Sequence, residues 1–214
     1  MFRETTSNEL FTLLLVVCLL IVTLAKLINP VRFDSFISVI TTSKYLKIYS
    51  REQKLFNKFD VPLLLNLAIS GCIFILILYK AFFPENSITL QFSIKVLIGI
   101  IVFIALKIVV EYIIGNIVDI EKNFHLYLFQ RISYANYIGI LLIPLNALLI
   151  YSFNYAIPLI HISLALIVIV SIIGLVSSMK SHESLIKGNF FYFILYLCAL
   201  EIAPYIILYK VFFV

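Results

Sequence analysis

Three ionisable side chains lie within long apolar stretches, and they are the residues best placed to do chemistry inside a membrane. Lys107 and Glu111 belong to one stretch, and Glu201 belongs to another. An ionisable group in hydrocarbon is costly, so it usually pairs with another group or serves a function. Lys107 and Glu111 are one helical turn apart and share a helix face. We therefore predict an intramembrane cluster in which Lys107 bonds both Glu111 and Glu201.

The depth of these groups supports a contact between the two stretches. Lys107 and Glu201 lie roughly 22 Å and 18 Å from the outer ends of their predicted spans, at 1.5 Å per residue. The cluster has a structural interpretation, an ion pair that fixes helix register, and a functional one, proton coupling or substrate binding. A third interpretation is that one of the groups reaches out to the membrane surface.

Prolines and amides mark further polar positions within apolar stretches. Pro144 and Pro204 are predicted kinks, because proline removes a backbone donor and clashes with the preceding turn. Asn146 follows Pro144 closely and joins the candidate cluster. Asn66 and Ser70 share one face of their stretch, and we expect them to bond a neighbouring helix.

These residues require helices that cross a membrane. Of the 214 residues, 63% are hydrophobic and 13% are charged, whereas a soluble domain is nearer one-half apolar and one-quarter charged. The fold class is therefore all-α, a polytopic bundle in a single domain, residues 1–214. Windows of about twenty residues give six spans, near 10–28, 62–82, 92–117, 134–151, 156–176 and 189–213. Residues 152–155 should join the fourth and fifth spans as a tight hairpin.

The distribution of Lys and Arg predicts the direction of the chain. Eleven of the sixteen lie in the segments that follow the odd-numbered spans, four on the opposite side, and Lys107 within a span. Basic loops stay in the cytoplasm, so both termini are predicted outside it. The first span is an alternative signal peptide, but its leader has one Arg against two Glu, and we favour a retained helix.

The segment 29–60 is predicted to form an amphipathic cytoplasmic element. Asn29 and Pro30 indicate a helix start, with Asn as the cap and Pro at the first helical position. An apolar stripe follows at Phe33, Phe36, Ile37 and Ile40. A break is expected at residues 41–43.

Beyond that break, five basic residues share about one-quarter of a helical turn, and aromatic and aliphatic residues fill much of the other side. We call them the basic face: Lys44, Lys47, Arg51, Lys54 and Lys58. This pattern is typical of a helix in the headgroup layer of an anionic lipid bilayer. The alternatives are a lid packed beneath the bundle, which is compatible with the first, and a helix that binds a membrane-protein partner.

Other classes of site lack sequence support. His125, His161 and His182 have no second ligand at metal spacing, so we predict no metal site. Phosphate-binding, hydrolase and metalloprotease motifs are missing, and we predict no cofactor. The net charge of +5 comes largely from the segment beside the membrane, so nucleic acid is not expected as a partner.

Three stretches together resemble a family of bacterial polytopic membrane proteins known as a domain of unknown function. They are Asn29–Phe36, Phe129–Pro144 and Phe191–Lys210, the last containing Glu201 and Pro204. The resemblance covers nearly the whole chain and implies a multi-pass protein of a Gram-negative inner membrane. It implies no activity.

Two functions remain open. We favour a non-enzymatic accessory, scaffold or assembly component of a bacterial envelope complex, because catalytic motifs are missing and the basic segment offers a docking element. The alternative is a small transporter or flippase that uses Lys107, Glu111 and Glu201. An intramembrane lipid-modifying enzyme is a weaker third hypothesis.

Overall fold

The computed structural model describes residues 9–40, 44–49, 58–83, 88–117, 121–153 and 155–181. These residues are helical throughout, apart from short turns. Two short helices, α2 (Pro30–Ile37) and α3 (Lys44–Tyr49), follow α1 (Glu9–Ile28). The longer helices after them are α4 (Asp60–Phe82), α5 (Leu90–Ile117), α6 (Glu121–Ala147) and α7 (Ile157–Ser181). A π-helical turn, Leu148–Ser152, extends α6.

Five of the described helical segments are long and apolar enough to cross a membrane. They are Glu9–Ile28, Asp60–Phe82, Leu90–Val110, Leu128–Ser152 and Ile157–Ser177. The prediction of an all-helical polytopic chain is therefore confirmed, and these segments overlap the ranges predicted for the first five spans. The sixth predicted span, 189–213, lies outside the described residues. Most side chains exposed on α5 and α7 are large and apolar, as expected of surfaces that face lipid.

The start of α2 follows from its sequence. The side chain of Asn29 accepts a hydrogen bond from the backbone N–H of Arg32, 3.1 Å away, and Pro30 occupies the first helical position. Phe33 and Phe36 of the predicted stripe are buried, whereas Ile37 is exposed. One face of α2 therefore packs inward, beside the end of α1.

The centre of the bundle is the contact between α4 and α6. Leu67 lies against Gly139, and the carbonyl of Ser70 lies against Asn146. Residue numbers increase in the same direction on both helices, so α4 and α6 run parallel. A Cβ on Gly139 would lie 2.8 Å from the Cα of Leu67, so only glycine permits this close approach, as is common between membrane helices.

Two buried clusters fill the bundle. The first is mainly aliphatic and joins α1 and α4 to the π-helical turn, with Leu15, Ile77 and Leu149 among its members. The second is aromatic and holds α2 and α3 against α4 and α6; its rings include Phe36, Tyr45, Phe59, Phe129 and Tyr134. The aromatic cluster fixes α2 and α3 to the bundle.

The hairpin between α6 and α7 is as short as predicted. Tyr155 has a φ of 61°, a left-handed conformation that a bulky residue rarely adopts. The ammonium of Lys80 donates to the Tyr155 hydroxyl at 3.2 Å and lies 4.6 Å from the centre of its ring. The hairpin is thereby attached to the end of α4.

Candidate functional site

The aromatic cluster contains a buried ion pair between α2 and α4. Arg32 Nη2 donates to Asp60 Oδ2 at 2.9 Å, and the two side chains are only 4% and 3% exposed. Asp60 is the first residue of α4, where a carboxylate also interacts favourably with the positive end of the helix dipole. We call this pair the Arg32–Asp60 clamp.

Aromatic rings from α3, from α6 and from the residue before α4 surround the guanidinium of the clamp. Its central carbon lies 4.9 Å from the ring centres of Tyr49 and Phe59, 5.9 Å from Phe129 and 6.0 Å from Tyr45. Each ring at these distances attracts a cation through its negative face. The rings also exclude water, so the attraction between the two charges is stronger than at a surface. The clamp therefore links α2, α3, α4 and α6.

Tyr45 is the member of α3 that lies deepest in this site. Burial, and to a smaller extent the charge of Asp60, raise the pKa of its phenol to about 12, although Arg32 and Ser133 act in the opposite direction. The phenol therefore stays protonated at neutral pH. The Tyr45 ring stacks on Phe129 with ring centres 5.8 Å apart and meets Phe36 edge-on at 5.4 Å.

A second polar feature follows the contact between α4 and α6. We call it the α4–α6 polar seam, and its fully buried members are Asn66, Ser70, Asn136 and Asn146. Asn146 Nδ2 donates to the Ser70 carbonyl at 2.9 Å. The oxygen of the Asn146 amide, and both polar atoms of Asn66 and Asn136, make no hydrogen bond to the described residues.

One family model matches a range of the chain that contains both the clamp and the α4–α6 polar seam. The model described as "Domain of unknown function (DUF4271)" matches residues 11–212. The chain belongs to this family. No curated protein and no solved structure matched it. The DUF4271 match confirms the expected membership in a domain-of-unknown-function family, and it includes the clamp, the seam and all but the last residue of the stretch predicted as the sixth span.

The predicted intramembrane cluster is described only in part. Lys107 lies on α5, half-buried, and the backbone of Glu111 continues the same helix. The Glu111 side chain lies outside the described part of the structure, as do Glu201 and Pro204. The bonding of Lys107 to these carboxylates therefore remains a prediction.

Asn146 and Pro144 are placed as integral parts of α6. Pro144 lies inside the helix, one turn before the π-helical turn begins. Asn146 points into the bundle and donates to the backbone carbonyl of Ser70 on α4. The Ser70 hydroxyl donates to the Leu67 carbonyl of its own helix, and the Asn66 side chain makes no hydrogen bond to the described residues. The expected side-chain bonds from this face to a neighbouring helix are therefore not seen among the described residues.

The basic face is likewise described in part. Lys44 begins α3, Lys47 lies within it, and Lys58 is exposed in the turn before α4. Arg51 and Lys54 lie outside the described residues. Tyr45 and Leu46 are buried against the bundle, so α3 packs as the lid interpretation expects, while contact of the basic face with lipid remains a prediction.

The clamp was not predicted as a site. In the sequence, Arg32 is one of the basic residues that predict the direction of the chain and part of the family stretch Asn29–Phe36, while Asp60 marks the end of the predicted amphipathic segment. The sequence does contain one signal for the pair: Arg32 and Asp60 each lie beside an end of an apolar span. At that position two charges can pair and be buried without entering the centre of the membrane. Among the described residues, no three His, Cys, Asp or Glu side chains are grouped for metal binding.

Proposed function

We propose that this DUF4271 protein is a non-catalytic accessory or scaffold component of a complex in a bacterial inner membrane. One observation carries the proposal: the Arg32–Asp60 clamp and the rings around it hold α2 and α3 onto the bundle. Both charges are sealed among aromatic rings, so neither is open to a substrate. A buried ion pair of this kind holds helices in fixed positions, and it supports a structural role better than a catalytic one.

The fixed segment offers that surface to a partner. The inner face of α2 and α3 is used for packing, while Lys58 and the outer residues Asp34 and Ile48 remain exposed. The basic face begins on α3, so the clamp would hold it at a constant position relative to the membrane. A pre-organised surface loses less conformational entropy on binding than a mobile one. Acidic groups of a membrane-protein partner, or anionic headgroups around it, are its expected contacts.

The test is purification of the tagged protein from its native membrane in mild detergent, with co-purifying proteins identified. A partner in fixed stoichiometry is expected. It should be lost when the basic face is neutralised (Lys44, Lys47, Arg51, Lys54 and Lys58 to Gln). Neutralising Lys95 and Lys210, which lie on the predicted opposite side, is the matched control and should retain the partner. A homogeneous, partner-free protein from native membranes would contradict the proposal.

The second candidate is a small transporter or flippase, and the α4–α6 polar seam is the observation that favours it. Fully buried amides within membrane helices are typical of polar pathways. Together with Asn146, Lys107, Glu111 and Glu201 would then line the route. Reconstitution in liposomes tests this: solute flux or transfer of a fluorescent phospholipid should occur with the wild type and fall in the Glu201→Gln variant.

A further inference from the structure

Two amides of the polar seam, Asn66 and Asn136, lie at nearly the same depth in the bundle. Leu67 touches Gly139 across the parallel helices. Asn66 precedes Leu67 by one residue and Asn136 precedes Gly139 by three, an axial difference of about 3 Å at 1.5 Å per residue. Both side chains are fully buried. Asn66 and Asn136 are therefore neighbours in depth, near the contact between Leu67 and Gly139.

Neither amide is satisfied by the part of the chain that the structure describes. Nδ2 and Oδ1 of both residues make no hydrogen bond to the described part of the chain. A buried amide without partners is strongly disfavoured, and proteins usually satisfy such groups with ordered water. The seam thus presents two NH₂ donors and two carbonyl acceptors at one level.

We propose that α4 and α6 bind ordered water between Asn66 and Asn136. Water fits this set because each molecule both donates and accepts hydrogen bonds. A bound cation would satisfy only the two amide oxygens, and an anion only the two NH₂ groups. Asp60, the carboxylate of α4 nearest to Asn66 in sequence, is already paired with Arg32.

Another buried polar side chain lies on α6, next in sequence to Phe129, whose ring contacts the clamp. Gln130 is buried on α6, and its Oε1 also makes no hydrogen bond to the described residues. It precedes Asn136 by six residues, about 9 Å along the helix. At about 100° per residue, Gln130 lies on a different face of α6 from Asn136, so it is not a member of the water site. This inference is independent of the proposed accessory function.

Hydroxyl-radical footprinting of the intact protein in detergent tests the site. Radiolysis converts a bound water into a radical in place, so a buried side chain beside it becomes oxidised. Leu63, fully buried one turn before Asn66, is the reporter. Leu76 is equally buried, on the same helix and in the aliphatic cluster, and serves as the matched control. After equilibration in ¹⁸O-labelled water, we expect severalfold more ¹⁸O at Leu63 than at Leu76.

The double variant Asn66→Leu, Asn136→Leu should lower oxidation of Leu63 to the level of Leu76. Helical circular dichroism and gel filtration establish that this variant is folded. If it does not fold, the comparison of Leu63 with Leu76 in the wild type decides alone. Equal protection of the two leucines in the wild type would overturn the proposal.

Discussion

The guanidinium of Arg32 and the carboxylate of Asp60 lie 2.9 Å apart although 28 positions separate them in the sequence. The pair closes the segment between the first two spans into a loop fixed at both ends. Its members are held by different means, Arg32 by the capped start of α2 and Asp60 by the first turn of α4. Both charges are removed from water, so each is stabilised mainly by the opposite charge of its partner.

Removing one member of the clamp should destabilise the protein strongly. Arg32→Met leaves the Asp60 carboxylate buried without its partner, and Asp60→Leu leaves the guanidinium in the same state. Breaking a buried pair in this way costs about 3–5 kcal/mol. The free energy of unfolding, measured by SDS titration in mixed micelles, should fall by that amount in each single variant.

The double variant Arg32→Met, Asp60→Leu is the control for this interpretation. It removes both charges and leaves apolar side chains of similar length, a replacement that is often neutral or stabilising in other proteins. It should be more stable than either single variant. Additive losses would mean that the two residues act independently and that the clamp does not hold the segment.

Gly139 should tolerate no side chain. In the Gly139→Ala variant the new Cβ would meet the backbone of Leu67 at 2.8 Å, and this backbone cannot turn away as a side chain does. We expect a loss of about 1–3 kcal/mol from overpacking. The midpoint of thermal unfolding in detergent is the measurement.

Gly99→Ala is the matched control for Gly139→Ala. Gly99 lies within α5, where an added Cβ meets nothing within 4 Å. The same substitution there should leave stability unchanged or raise it by up to about 1 kcal/mol, since alanine favours the helix. Equal losses at both positions would show that helix packing at Leu67 does not explain the effect.

The spanning helices were predictable because each is a local pattern. Twenty apolar residues reveal a membrane helix wherever they occur, and Asn29 with Pro30 indicates the start of α2 without knowledge of its neighbours. The start of α6 was harder to predict from the sequence. Polar residues such as Gln130 and Ser133 placed the predicted boundary at Tyr134, whereas the helix begins at Glu121 and buries these side chains against its neighbours.

The clamp and the seam depend on which helices meet, and one sequence does not contain that information. Arg32 looks like any basic residue beside a membrane until α2 is folded under α4. Gly139 is one of six glycines, and nothing local distinguishes it from Gly99. The polar face of Asn66 and Ser70 was recognisable from spacing, but its partner on α6 became known only from the packing of parallel helices.

The predicted bond between Lys107 and Glu201 is tested by exchanging the charges. Lys107→Glu alone places like charges together, and Glu201→Lys alone does the same with the opposite sign. An uncompensated charge near the centre of a membrane helix costs about 2.5–3.5 kcal/mol on insertion scales. Each single variant should therefore lower the amount of folded protein in membranes, measured by fluorescence size-exclusion chromatography.

The double exchange Lys107→Glu, Glu201→Lys restores opposite charges and should restore folded protein. Lys95→Glu combined with Glu201→Lys is the control, since Lys95 is exposed near the start of α5 and should not compensate. If the two double variants behave alike, Lys107 and Glu201 do not pair.

The orientation follows from the same charge count and is tested by cysteine labelling of intact cells. Cys18 and Cys72 are buried, and all three native cysteines are replaced by alanine to remove background. Asp34 on α2 and Ser152 at the hairpin are exposed and lie on opposite predicted sides. A membrane-impermeant maleimide should label Ser152→Cys in intact cells, and Asp34→Cys only after the inner membrane is permeabilised. The reverse pattern would place both termini in the cytoplasm and the basic face outside it, away from the partners proposed for it.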